Sequence, residues 1–323
     1  MMSVYLSTFD AYFVAGATTS TNRLYANGNQ QVKVAINIRK QVDGVDTPLT
    51  SAEKDSVTIT ARSSNPSASI YSGWSCDKSK NQYDEGVRGE NSRSMNGVAV
   101  LMDTEDQDGQ VKAGVETVYR YLRTSANPNE TMEFMAVITI NGEKFTTNMD
   151  PHVQTLTVTP RTPYKIRSYE LVLKREDAYT DEYSKGNYVD VDVYYWTLPS
   201  SLAIKNQQIN GNANVSGGAL ASITGAKVSP IRTGIVLHTS TQNFTVNNSM
   251  ATSNLPGGSN KVRLISGDSF IRASRGACDN YYYDSTSKYN SGCVVTIIDN
   301  FGCVSKFSVR ASDDLNILDI YDA

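Results

Sequence analysis

The sequence predicts an all-β chain of two tandem β-sandwich domains, residues 1–160 and 161–323. One observation is alternation. Val32, Val34, Ile36 and Ile38 are interleaved with Lys33, Asn37 and Arg39, the period of two that gives a strand one buried and one wet face. A second is that this stretch has a counterpart. Gly28-Asn29 precedes it, and Gly186-Asn187 precedes Val189, Val191 and Val193, which alternate with Asp190, Asp192 and Tyr194. The third is composition: Tyr, Thr, Ser, Asn and Val are plentiful, and sustained Ala/Leu/Glu/Lys patterns are missing. A chain of 323 residues is also long for one core.

Taken in order, the aromatics Tyr5, Phe9, Tyr12 and Phe13 mark a first strand or strand pair. The Gly28-Asn29 strand follows and ends at a Val42-Asp43-Gly44 turn. Ser51 to Asp55 has room for one helical turn, and Val57 to Ala61 reads as a short strand. Residues 62–95 are polar, with Trp74 and Tyr83 as large exceptions, and are long for a plain connection. Strands resume at Val98–Met102, Val118–Leu122 and Phe134–Ile140, the last ending in an Asn141-Gly142 hairpin signal. Leu156 to Val158 closes the first domain, and Pro160-Arg161-Thr162-Pro163 reads as a short stiff linker. In the second half, strands are expected at Tyr169–Leu173, at the Gly186-Asn187 stretch and at Gly234–His238. Later ones fall at Phe244–Val246, Val262–Ile265, Phe270–Ile271, Val294–Ile298 and Phe307–Val309, with Leu315, Ile317 and Ile320 ending the chain.

The two halves are collinear. Arg120 and Arg123 match Arg272 and Arg275, Val137–Ile140 matches Val295–Ile298, and Phe145 matches Phe307 at near-constant separation. This reads as a duplication. The Tyr25-Ala26-Asn27-Gly28-Asn29 segment, its Val/Ile strand and the Val42-Asp43-Gly44 turn resemble bacterial and phage immunoglobulin-like (invasin-type) repeats. The likeness covers only the turn and strand of each half, and each half is longer than a usual repeat. It implies an Ig-like sandwich serving as a spacer or adhesion module, and it carries over no catalytic residue.

Net charge is −3 with no long basic run, which argues against nucleic acid as a partner. The first residues lack the basic n-region of a secretory leader. No stretch has the apolar length of a membrane span. The expectation is a chain made in the cytoplasm without a signal peptide and placed in a virion or extracellular particle.

Little in the sequence points to catalysis. His152 and His238 are the two histidines, so a histidine-based hydrolase would have to use one of them. Gly267-Asp268-Ser269-Phe270 superficially resembles the nucleophile block of GDSL-type esterases, but no Asp-x-x-His follows near the C-terminus, and a turn before a strand explains it as well. Asp103, Glu105, Asp106 and Asp108 could gather calcium oxygens, yet the spacing misses the EF-hand pattern and a solvated hairpin tip is the plainer reading. Glu176, Asp177, Asp181 and Glu182 read as a second acidic loop. Of the four cysteines, Cys278 and Cys293 bracket one loop and are either bridged or buried thiols. No metal site and no cofactor are expected.

The stretch between those cysteines holds Tyr281, Tyr282, Tyr283 and Tyr289 among Ser, Asn and Gly, the composition of recognition loops. These tyrosines, with Trp74 as a weaker candidate, are the expected receptor- or glycan-contact residues; the competing reading packs them on their own domain. The functional expectation is a non-enzymatic structural or attachment protein of a phage or phage-tail-like particle. It would be oligomeric and partnered by other structural proteins. The alternative is a soluble secreted toxin or lectin binding through the tyrosine loop.

Overall fold

The computed structural model describes residues 3–89, 114–184, 187–210, 231–238, 245–246, 262–263, 265, 267–279, 293–311 and 317–323. Within some strands, among them 178–184, 187–191, 231–238 and 276–279, the backbone alone is described. The chain forms two compact units. The first is Met1–Tyr164 with Phe301–Cys303, and the second is Lys165–Asn300 with Val304–Ala323. Both are built almost wholly of antiparallel strands, as the alternating sequence predicts.

In chain order the first unit contains β1 (Val4–Phe13), β2 (Ser20–Thr21), β3 (Val32–Val42), β4 (Val45–Asp46), α1 (Ser51–Ser56) and β5 (Thr58–Ala61). It continues with β6 (Trp74–Asp77), β7 (Glu116–Thr124), β8 (Met132–Ile140), β9 (Glu143–Thr146) and β10 (Leu156–Val158). One sheet runs β1-β3-β7-β6, with β4 beside β3; the other runs β2-β10-β8-β5, with β9 beside β8. Phe9 and Phe13, Val34 and Ile36, and Leu122 line the inner face of the first sheet. They pack against Ile59, Phe134, Ile138, Leu156 and Val158 of the second, which makes the sandwich core.

One corner of this core is polar. Lys40 continues the inward-facing row of β3, and its buried ammonium donates to Glu53 Oε2 at 2.7 Å. Glu53 sits in α1 and closes a capping box with Thr50: Glu53 N donates to Thr50 Oγ1 and Thr50 N to Glu53 Oε2. The Arg120 guanidinium, also buried, donates to the carbonyls of Val57 and Lys54 at 2.7 and 2.6 Å. Glu116 pairs with Lys54 and accepts from Leu49 N. The single helical turn is thus fastened by side chains of both neighbouring strands.

The second unit contains β11 (Val172–Ser184), β12 (Asn187–Thr197), β13 (Ile204–Asn210), β14 (Ile231–His238), β15 (Thr245–Val246) and β16 (Val262–Arg263). It ends with β17 (Phe270–Asp279), β18 (Cys293–Asp299), β19 (Val304–Ala311) and β20 (Leu318–Asp322). Its sheets run β11-β12-β17-β14 and β13-β18-β19-β20, with β15 and β16 as a separate pair. The first of these repeats the order β1-β3-β7-β6. The halves part at the end: β10 returns to β8, whereas β20 pairs with β19. The two Gly-Asn stretches do lead into strands in the same place, β3 and β12. They get there differently, because β12 begins at Asn187 next in order after its pairing partner β11, and Gly28-Asn29 follows β2 of the opposite sheet.

Two sequence readings are corrected. Glu176, Asp177, Asp181 and Glu182 form no loop, since all lie in strand β11. Charged residues on an edge strand look like a solvated turn in sequence because both leave polar groups in water. The Pro160–Pro163 segment is docked in the first unit, with Arg161 N donating to Leu24 O at 2.7 Å and Ala26 N to Arg161 O at 2.9 Å.

Removing one partner of a buried ion pair strands the other, so Lys40→Met should destabilise the chain by about 3 kcal/mol in urea unfolding at neutral pH. Burial raises the Glu53 carboxyl, but the hydrogen bonds from Lys40 and Thr50 outweigh it and hold its pKa below the ordinary value. Its stabilisation is therefore full above the ordinary carboxylate range and lost as pH falls through it. Glu53→Gln should flatten that part of the stability–pH curve.

Candidate functional site

Of the residues expected to contact a ligand, Tyr281, Tyr282, Tyr283 and Tyr289 lie outside the described residues, as do Asp103, Glu105, Asp106 and Asp108. The side chains of Cys278 and Cys293 do too; their backbones fall at the end of β17 and the start of β18. Trp74 is described, and it is buried in the core of the first unit with its ring 4.7 Å from that of Phe134. Its aromatic area goes to packing, which corrects the expectation of a contact residue: a polar neighbourhood in sequence surrounded a core side chain in space. His152 meets Phe9 edge-on at 5.9 Å, and burial lowers its pKa. Ser269 and Asp268 lend their carbonyls to Leu198 N and Ile204 N, so that segment is a structural turn before β17.

The arrangement that can do chemistry lies on the outer face of the first unit's β1-β3-β7 sheet. Strand alternation that sends Phe9, Ala11 and Phe13 inward sends Asp10 and Tyr12 outward. In β3 the outward set is Lys33, Ala35 and Asn37, and in β7 it is Thr117, Tyr119 and Tyr121. Register aligns them into rows. Tyr12 stands beside Ala35, which stands beside Tyr119. Next to that row, Lys33 stands beside Tyr121, which faces Asp77 of β6. On its other side Asp10, Asn37 and Thr117 are aligned.

The central row is two rings with a methyl between them. Ala35 is 1% exposed and Tyr119 39%. With strands about 4.8 Å apart, the two tyrosines start about 10 Å from each other. Lys33 Nζ sits 4.2 Å from the Tyr119 ring centroid, a cation–π contact that holds the ring in place. The polar row is wired: Asn37 Nδ2 donates to Asp10 Oδ1 at 2.9 Å, and Thr117 Oγ1 donates to Asn37 Oδ1 at 2.8 Å. Fixed aromatic faces beside fixed amide and carboxylate oxygens are suited to a flat ligand with one apolar face and a hydroxyl-bearing edge. The sequence carries a signal for it. In Tyr119-Arg120-Tyr121 both rings fall on one strand face, opposite that of Val118, Arg120 and Leu122, and that face is the wet one.

No protein-family model matches the chain, and no curated protein matches it. Among solved structures it is similar to one described as BspA_C_mut, at 8% identity over 94% of this chain and 96% of that one, with a TM-score of 0.21. The fold class rests on the sheets themselves.

Trp74→Ala should cost about 3–5 kcal/mol of stability, the usual loss for an aromatic core truncation. Chemical unfolding followed by tyrosine fluorescence and circular dichroism measures it; a loss near zero would return Trp74 to the surface.

Proposed function

We propose that this chain is a non-enzymatic attachment protein whose first unit holds a glycan on the outer face of the β1-β3-β7 sheet. The observation that carries the reading is the Tyr12–Ala35–Tyr119 row with the wired Asp10–Asn37–Thr117 row beside it. Pyranose rings present C–H groups on a face and hydroxyls at the rim. The C–H faces match the negative faces of tyrosine rings, and the hydroxyls match oxygens already held in place. A spacing of about 10 Å across two strands suits alternate rings of an extended polysaccharide. The setting we propose is a larger particle, of phage or phage-tail kind, in which sandwich units act as spacers. The shared strand order of the two units supports reading them as copies of one ancestral domain.

The test is binding of the full chain to a glycan array and to insoluble polysaccharides. Tyr12→Ala and Tyr119→Ala should each weaken binding about tenfold with the melting temperature nearly unchanged, because both rings are surface contacts. A Tyr281/Tyr282/Tyr283→Ala variant should bind as the parent does. Loss of binding in that variant alone would move the site to the tyrosine loop and make the lectin-like reading the better one. A silent array for the parent chain would remove the glycan proposal.

A further inference from the structure

The two units share a strand order but treat their edge strands differently. In the first unit β1 ends its sheet, and its outer amides are occupied: Ala11 N donates to Gln154 Oε1 at 2.6 Å and Phe13 N to Thr18 O at 2.7 Å. Capping an edge in this way prevents another strand from adding to it. In the second unit β11 occupies the equivalent end, and it is 13 residues long. Among the described residues no strand pairs with its outer side. Apolar side chains cluster at its start, with Tyr169 84%, Val172 67% and Leu173 47% exposed. A register shift between Asp177 and Tyr179 ends its regular part, leaving Val172–Asp177 as a segment in unbroken register.

The charges of that segment are self-complementary. In an antiparallel pair of identical strands the two-fold axis stands normal to the sheet, so each residue faces a partner of its own side. With the axis at Arg175, Lys174 lies opposite Glu176 of the second copy and Glu176 opposite its Lys174. Within one chain these two already form an exposed ion pair at 2.6 Å, so both heads stand on one face ready to bridge. The residue on the axis does not obstruct this. Arg175 reaches away from the edge to β12, where Nε and Nη2 bind Asp192 at 2.9 and 2.8 Å, and Arg275 Nη1 completes the site at 2.6 Å. Moving the axis by one residue on either side would set Lys174 against Lys174 or Glu176 against Glu176. Of these three registers only the one at Arg175 avoids both, and it sets Lys174 and Glu176 against opposite charges.

We propose that β11 is a self-association edge: two copies of this chain pair antiparallel through Leu173–Asp177 about a two-fold at Arg175, joining two four-stranded sheets into one. The short paired segment makes this a weak, concentration-dependent dimer that gains strength where copies are held together in an assembly. The inference stands apart from the glycan reading and uses no residue of that face.

Sedimentation velocity on the full chain over a wide concentration range tests it. The parent should show a monomer–dimer equilibrium. Lys174→Glu places Glu opposite Glu176, and Glu176→Lys places Lys opposite Lys174, each twice by symmetry. Each variant alone should weaken dimerisation at least roughly tenfold. An equimolar mixture of the two should regain dimer, because both cross-strand contacts are again opposite in sign. A parent that stays monomeric throughout, single variants that dimerise like the parent, or a mixture that stays monomeric would each overturn the proposal. The mixture also controls for folding, since a variant that failed to fold could not restore a dimer.

Discussion

Every buried amide and carbonyl must find a partner, and around the start of β3 that duty falls on the side chains of Asn27, Gln30 and Gln31. Gln30 is buried; its Oε1 accepts from Tyr25 N, and its Nε2 donates to the carbonyls of Asp84 and Gly86. Gln31 Nε2 binds Asp77 and Ser79, and its Oε1 accepts from Asn81 N. Asn27 Oδ1 closes the turn by accepting from the amides of Asn29 and Gln30. Gly28, at φ +74°, donates to Thr124 O where a side chain would be strained. These few residues set where β3 begins and clamp the polar connection that runs from β6 to residue 89.

With β3 pinned at its start and its Lys40 end locked to α1, the strand that carries Ala35 and Asn37 cannot slip in register. A one-residue slip would turn the aromatic row inward and the core outward. This is why a site on three paired strands differs in kind from one on a loop. The rings of Tyr12 and Tyr119 are spaced by backbone hydrogen bonding, so little conformational entropy is lost when a ligand settles on them. The second unit uses its buried charges in another way. Asp192 gathers two arginines and leaves the outer side of β11 to lysine and glutamate, the charges on which the proposed self-association rests.

Much of the fold was legible. The period of two in β3 marked the inward residues, Ser51 to Asp55 was read as a helical turn, and Asn141-Gly142 marked the β8–β9 hairpin. What escaped were facts of pairing, which couple residues distant in sequence. Gln30 and Gln31 look like surface residues until Asp84, Gly86 and Asn81 are brought to them. Trp74 looks exposed among serines and lysines until Phe134 arrives from another sheet. Tyr12, Ala35 and Tyr119 come from three separate strands, and no window along the chain contains their row. The Tyr-rich stretch at 281–289 lies outside the described residues.

The first unit's tyrosine row, on strands, is the proposed ligand-contact surface. The most direct measurement is a titration of the full chain, carrying ring-labelled tyrosine, with an oligosaccharide from any polysaccharide it binds, followed by nuclear magnetic resonance. Ring signals of Tyr12 and Tyr119 should shift together and saturate at one ligand per chain, while those of Tyr281, Tyr282 and Tyr283 stay in place. Shifts confined to Tyr281–Tyr283, with Tyr12 and Tyr119 unmoved, would contradict it.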